Sequence, residues 1–124
     1  MKLYSLIPLV FILALITDKC KNKTETSTYK GRLEVKGMCM NYTIKLIEGK
    51  MNASNIVSEW KDEVTGKTHT NVFALGSACN FPSTINEGDE FYFTIDSTYV
   101  SNCAVCLAYY PKPAKAIAIK VVNK

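Results

Sequence analysis

The cysteines are the residues whose types and spacing offer the most chemistry in this sequence. Cys103 and Cys106 are separated by two residues, the spacing of redox-active dithiols and of one half of a zinc site. A working redox pair lies at the start of a helix, and two prolines shortly downstream leave little room for one. A strong zinc signature contains two such pairs, whereas Cys39 and Cys79 stand alone. Thiol-redox or zinc chemistry at Cys103 and Cys106 is therefore kept as an alternative, and we predict neither a cofactor nor a bound metal.

The same residues form an even set, which predicts two disulfides in an oxidising compartment: Cys39, Cys79, Cys103 and Cys106. Several connectivities are open to four cysteines. We favour those in which Cys39 and Cys79 each bond to one of the closely spaced pair, because such bonds close long loops. Each bond is worth ~3–4 kcal/mol by the loop-entropy argument. They would also hold the segment 97–114 against the rest of the domain.

The start of the chain predicts export. Met1 and Lys2 give a short positive start, and the stretch from Leu3 to Ile16 is apolar apart from Ser5. This stretch is shorter than the ~20 residues that a membrane-spanning helix needs, and it fits the apolar region of a secretory signal. A buried core helix is the alternative, but the stretch has no polar face at the helical period. We predict that residues 1–19 are a signal peptide.

Cys20 follows this signal directly and is itself followed by a polar run from Lys21 to Ser27. The arrangement resembles the N-terminus of bacterial lipoproteins, in which such a cysteine becomes the acylated first residue of the mature chain. The resemblance implies lipidation at Cys20, a tether over residues 20–27, and a domain held at a membrane surface of the cell envelope, periplasmic or outer. Free secretion is the alternative. A single domain then spans residues 28–124.

The rest of the chain has strand patterns and no helical stripe longer than two turns. Apolar and polar residues alternate, with turn residues between, over the regions 29–47, 56–61, 69–75, 90–96 and 116–122. Between the second and third regions, Thr65-Gly66-Lys67 predicts a hairpin turn with a positive φ at the glycine. Gly37 lies inside the first region, where a glycine is typical of a bend in one long strand. This all-β pattern resembles a small five-stranded OB-fold-like barrel, in which closure removes the sheet edges. A small β-sandwich is the alternative, and the segment 97–114 is expected to be irregular.

Tyr109, Tyr110 and Lys112 form a candidate ligand surface, because two aromatic rings stand beside prolines and lysines. A rigid amphipathic patch of this kind suits stacking on a sugar ring or contact with a peptide. In the alternative, one tyrosine packs on the barrel and the other covers a disulfide. Carbohydrate or peptide binding through Tyr109 and Tyr110 is therefore kept as an alternative function.

The other polar candidates have ordinary structural interpretations. His69, the single histidine, starts a strand and is expected on the surface, since no nucleophile motif accompanies it. Trp60 is expected to cover one end of the core. A group of acidic residues is expected to be a solvated turn rather than a carboxylate pair or a calcium loop: Glu87, Asp89, Glu90 and Asp96.

Composition narrows the function classes. The 124 residues suffice for one domain after removal of the signal and are too few for a multidomain enzyme or a bundle of membrane helices. A net charge of +4 is too small to indicate a nucleic-acid partner. We therefore predict a non-catalytic secreted or membrane-anchored envelope domain, a binding or structural module stabilised by disulfides, with a protein or glycan partner left open.

Overall fold

The computed structural model describes residues 27–104 and 106–123. The predicted signal, the predicted acylation of Cys20 and most of the predicted tether fall outside the described residues. The described part contains single turns of 3-10 helix at Met38–Met40, Ala53–Asn55 and Ala78–Asn80. Its strands are Tyr29–Lys36 (β1), Tyr42–Glu48 (β2), Val57–Lys61 (β3), Thr68–Leu75 (β4), Glu90–Ile95 (β5), Ala116–Ile117 (β6) and Ile119–Val122 (β7). Within these residues, none of the helical segments has the length and apolarity that crossing a membrane requires.

The all-β class is confirmed, but the first strand region differs from the prediction. The chain does not run on as one long strand bent at Gly37. It reverses at residues 38–40, and β1 pairs antiparallel with β2. Cys39 and Met40 have positive φ angles of 58° and 61°, which residues other than glycine rarely adopt. Gly37, in contrast, has an extended backbone. Because the glycine is not the residue in the left-handed conformation, the residue types predicted the wrong geometry here.

All the strands belong to one sheet, in which neighbours follow the order β3-β4-β2-β1-β5-β7. β6 lies off this path and pairs parallel with β4, while β7 pairs antiparallel with β5. Only Ala118 separates β6 from β7, so the predicted last strand contacts two different strands. Ser77 extends the contact beyond β4: its buried Oγ donates to the carbonyl of Ile119 and accepts from the N–H of Ile119, both at 2.8 Å. Closure into a barrel stays a prediction.

The core consists of aromatic and aliphatic side chains on the inner face of the sheet. Phe93 is fully buried, and its ring centroid lies 5.4 Å from that of Tyr29 and 5.8 Å from that of Phe73. Phe91 is also buried, so the alternation of β5 points inward as its pattern predicts. The buried cluster contains Leu33, Tyr42, Ile44, Phe73, Leu75, Phe81, Phe91, Phe93, Ile117 and Ile119. Each large side chain of this kind contributes ~1.5–3 kcal/mol by leaving water.

Two disulfides join the irregular segment 97–114 to the sheet. Cys39 lies beside Cys106 and Cys79 beside Cys103, with Cα atoms 5.4 and 5.5 Å apart. Each member of the closely spaced pair therefore bonds to a distant cysteine, which is the kind of pairing that the loop argument favours. The described residues of the segment form no strand or helix, so the disulfides supply the attachment that backbone pairing does not.

Candidate ligand-binding groove

An open groove of about 700 Å³ lies beside β1. Its walls come from four parts of the chain that are distant in sequence: the second half of β1, the β3–β4 hairpin, the segment around Glu87, and Tyr110. Ionisable side chains dominate the lining, and they are Arg32, Glu34, Lys36, Asp62, Lys67, His69, Glu87 and Tyr110. The volume lies within the ~300–1,000 Å³ that is typical of small-molecule sites.

Glu34 links β1 to the hairpin through both of its carboxylate oxygens. Oε1 lies 3.0 Å from Nδ1 of His69, and Oε2 accepts from Nε and Nη2 of Arg32, both at 2.9 Å. Burial alone would raise the pKa of Glu34, but the hydrogen bonds from His69 and Arg32 and the charge of Arg32 outweigh it and lower the pKa below its usual value. A carboxylate only accepts, so Nδ1 of His69 carries the hydrogen. In neutral His69 the other nitrogen, Nε2, is then an acceptor.

Trp60 lies on the other side of His69. The two residues are directly opposite each other in the β3–β4 register, and their rings stack with centroids 5.6 Å apart. The side chain of His69 is only 10% exposed, so the expectation of a surface histidine is wrong. Trp60 is absent from the core cluster, so its expected place at one end of the core is wrong as well. Both residues instead support one wall of the groove.

Asp62 starts the turn of the β3–β4 hairpin and is fully buried. Its Oδ1 accepts from the N–H of Val64 at 2.9 Å, and its backbone bonds to Lys67 and Gly66 at 2.8 Å close the turn. Gly66 has a φ of +72°, which confirms the positive φ predicted for this glycine. The carboxylate is thus oriented by the turn, with Oδ2 left over for another contact.

Asp62 and His69 each keep one polar atom without a hydrogen-bond partner. These atoms are Oδ2 of Asp62 and Nε2 of His69, and both are buried. Among the residues that the structure describes, Thr43 has the third such atom, and Thr43 does not line the groove. Buried polar groups are paired in most cases, because leaving one unpaired costs ~1–3 kcal/mol. Two unpaired atoms in one groove wall favour a binding role for this wall.

Tyr110 lines the groove from the irregular segment. The disulfide between Cys39 and Cys106 brings its segment against the β1–β2 turn, and Nδ2 of Asn41 donates to the carbonyl of Ala108 at 3.2 Å. A Cβ atom on Gly37 would clash with the backbone carbonyl oxygen of Asn41 and would lie 2.6 Å from the ring of Tyr110. A glycine at this position therefore allows the close approach of two groups, the Asn41 carbonyl and the Tyr110 ring.

The electrostatic surroundings of Tyr110 reflect the same geometry. Burial raises the pKa of its hydroxyl, and the negative charges of Asp62 and Glu87 raise it further. The hydroxyl is thus close enough to both carboxylates for their charges to act on it. A neutral phenol in this place can both donate and accept a hydrogen bond.

The structure divides the predicted ligand surface. Tyr110 lines the groove, whereas Tyr109 is 82% exposed, and neither Tyr109 nor Lys112 is part of the groove lining. Tyr109 lies close in sequence to Leu107, which is 97% exposed. Of the predicted surface, only Tyr110 is therefore positioned to act with His69.

The predicted acidic turn is also divided. Glu87 lines the groove, and its Oε2 accepts from the backbone N–H of Lys36 at 3.3 Å. Glu90 forms an ion pair with Lys30 at 3.0 Å on the other half of β1. The remaining two carboxylates accept from nearby backbone N–H groups, as solvated turn residues do: Asp89 and Asp96.

Glu34 and Asp62 carried no sequence signal for a site. Glu34 is one of several charged residues that alternate along β1, and its partner His69 is 35 positions away. Of the two, only Asp62 has a local pattern that indicates its orientation, because an aspartate that begins a glycine-containing hairpin turn is oriented by the turn itself. That pattern does not predict the groove, which exists only in the folded chain.

The four described cysteines are paired in disulfides. Cys103 and Cys106 bond to different partners and not to each other. Within residues 27–104 and 106–123, no three side chains of the metal-ligating types come together.

No protein family matches the chain, no curated protein matches it, and no solved structure matches it.

Proposed function

We propose that this chain is a non-catalytic exported domain, secreted or held at the cell envelope by a lipid on Cys20, that binds a ligand in the groove beside β1. The leader over residues 1–19 supports export, and the two disulfides fit an oxidising compartment. The groove supports binding, because it joins a suitable volume to polar atoms that lack partners. In this proposal the β-sheet is a stable scaffold, and the ligand binds to the groove wall that contains Asp62 and His69.

The scaffold of this proposal is a five-stranded OB-like barrel. The pairings of β6 with β4 and of β7 with β5 support closure, because these two strands are one strand interrupted at Ala118. The hydrogen bonds between Ser77 and Ile119 support it further. In this arrangement β1, β2, β4, β5 and β6–β7 form the ring, and β3 belongs to a hairpin outside it. Barrels of this class bind ligands on an outer face with adjoining loops.

The single observation that carries the proposal is the unpaired state of Oδ2 of Asp62 and Nε2 of His69 in one groove wall. The fold gains nothing from leaving them unpaired, because each costs ~1–3 kcal/mol. A ligand that supplies the missing hydrogen bonds recovers this cost as binding free energy. Local features that reduce the stability of the free protein, such as unpaired buried polar atoms, are typical of functional sites.

Chemical-shift mapping on the uniformly ¹⁵N-labelled exported protein tests the proposal. The probes are small polar molecules of several classes: saccharides, short peptides, carboxylates and amines. We expect at least one class to shift the signals of His69, Asp62 and Tyr110. Shifts that gather instead around Leu107, or groove signals that stay unchanged with every class, would overturn the proposal. Trp60, the single tryptophan, gives a second readout because it stacks on His69.

A further inference from the structure

The charges that line the groove balance each other. Three cationic side chains stand against three carboxylates, namely Arg32, Lys36 and Lys67 against Glu34, Asp62 and Glu87. Arg32 is already paired with Glu34, and the ammonium group of Lys36 lies 3.3 Å from the carbonyl oxygen of Ile85. A groove without excess charge gives no electrostatic advantage to a polyanion or a polycation. The ligand that such a lining favours is polar and neutral.

The unpaired atoms determine which hydrogen bonds the ligand has to supply. Oδ2 of Asp62 only accepts, and Nε2 of neutral His69 accepts because Glu34 holds the hydrogen on Nδ1. Facing Asp62 and a neutral His69, the ligand presents two O–H or N–H donors, whereas a protonated His69 would donate from Nε2 to a ligand oxygen. Within the described part of the chain the ammonium group of Lys67 has no partner, so it can donate to an oxygen of the ligand in return. Groups that both donate and accept, as hydroxyls do, match this lining.

Tyr110 adds an aromatic surface to the same groove. Its ring packs over Gly37 and lines the groove. A sugar ring offers adjacent hydroxyls on its edge and an apolar C–H face that packs against an aromatic ring. Resting on the proposed function, we infer that the groove binds a neutral saccharide of one to three units. Its hydroxyls donate to Asp62 and His69, and its ring packs on Tyr110.

Binding includes a small movement of the groove wall. Both acceptor atoms are closed off from bulk water, so a hydroxyl reaches them only when a neighbouring side chain moves. Tyr110 is half-buried and lies on a segment that has no strand pairing in its described residues. Its ring is therefore the side chain that we expect to shift when a saccharide enters.

The test titrates the exported protein with defined probes and follows Trp60 fluorescence together with ¹H–¹⁵N spectra. The neutral probes are glucose, maltose, cellobiose and chitobiose; glucuronate and cadaverine are the anionic and cationic probes. We expect at least one neutral saccharide to bind and to shift the signals of Asp62, His69 and Tyr110. Binding of a charged probe alone at these residues overturns the saccharide inference and leaves the proposed function standing. If no probe, charged or neutral, and no other class of small molecule shifts the groove, both fail.

Two variants with matched controls locate the saccharide. Asp62→Asn replaces the free acceptor with an amide donor and keeps Oδ1 for Val64, so we expect binding to weaken about tenfold. Asp96→Asn is the control, because Oδ1 of Asp96 also accepts an N–H two residues on, at 3.1 Å, but outside the groove.

Tyr110→Ala is expected to weaken binding by a similar factor through loss of ring packing, while Tyr109→Ala leaves binding unchanged. Urea unfolding checks that each variant is folded, and Tyr110→Phe, which keeps the ring, replaces Tyr110→Ala if the latter unfolds and should retain most of the affinity. Saccharide binding that stays within twofold of the parent in folded Asp62→Asn and Tyr110→Ala variants would place the sugar elsewhere and overturn the inference.

Discussion

Glu34 and His69 are 35 positions apart in the chain, yet Oε1 of Glu34 lies 3.0 Å from Nδ1 of His69. β2 lies between their strands in the sheet, because the order runs β4-β2-β1. β4 pairs with β2 only from Val72 to Ala74, and His69 lies on the part of β4 beyond this pairing. The contact therefore ties the free end of the hairpin to β1, and in doing so it builds one wall of the groove.

The first prediction concerns stability at acid pH. Burial raises the pKa of Glu34, but the hydrogen bonds from His69 and Arg32 outweigh it and hold the pKa below 4.5. A carboxylate with a lowered folded-state pKa stabilises the fold above its unfolded pKa, and this stability is lost as the pH falls through the folded value. We expect the urea concentration at the unfolding midpoint to decrease as the pH is lowered below about 4.5. The decrease should be smaller in Glu34→Gln. Identical pH profiles of the two proteins would contradict this role of Glu34.

The second prediction concerns the disulfides. The bond between Cys39 and Cys106 spans 67 positions and the bond between Cys79 and Cys103 spans 24. We expect the double variant Cys39→Ser/Cys106→Ser to lose up to about 4 kcal/mol of unfolding free energy, and Cys79→Ser/Cys103→Ser to lose less, because the shorter loop has less entropy to restrict. Chemical unfolding under non-reducing conditions measures both. A larger loss from the shorter loop would argue against the entropic explanation.

The third prediction concerns the contact between Gly37 and Tyr110. A methyl group on Gly37 would clash with the carbonyl oxygen of Asn41 and would lie 2.6 Å from the ring of Tyr110, so Gly37→Ala must displace both groups, at a cost of ~1–3 kcal/mol. Gly66→Ala is the matched control, because Gly66 has a φ of +72° and no atom within 4 Å of the added methyl group. It should be destabilising through backbone strain alone. The ring signals of Tyr110 should shift in the first variant and stay unchanged in the second.

The fourth prediction concerns Ser77. Its Oγ forms two hydrogen bonds at 2.8 Å to the backbone of Ile119, and it is fully buried. Ser77→Ala leaves a buried N–H and a buried carbonyl without these partners, and we expect a loss of ~1–3 kcal/mol. Ser58→Ala, on an exposed position of β3, should change the unfolding free energy by less than ~0.5 kcal/mol. Equal effects would show that the link between Ser77 and Ile119 contributes nothing to stability.

The fifth prediction concerns Cys20. If residues 1–19 are removed and Cys20 is acylated, the protein should incorporate an alkyne-labelled fatty acid in a bacterial host and fractionate with membranes. Cys20→Ser should lose both the label and the membrane association, because the lipid on Cys20 is what holds the protein at the membrane. This variant leaves the disulfides intact, because the other four cysteines are bonded in pairs. An unlabelled parent found only in the soluble exported fraction would favour free secretion instead.

The sequence determined those features that depend on near neighbours. The alternation of Phe91 and Phe93 predicted the inward face of β5, and the turn residues around Gly66 predicted the β3–β4 hairpin, because side-chain period and turn conformation are short-range properties. The even number of cysteines and their spacing favoured long-range disulfides. From these features the all-β class followed without coordinates.

Only the tertiary structure decided the site. The partnership of Glu34 with His69, the approach of Tyr110 to Gly37 and the burial of Asp62 join positions that no local pattern relates. They depend on the sheet register and on where a disulfide draws the irregular segment, and both are set by the packing of the whole domain. The same reason explains the misplaced turn after β1, since the left-handed residues there are Cys39 and Met40, which tertiary contacts hold in a conformation that their residue types disfavour.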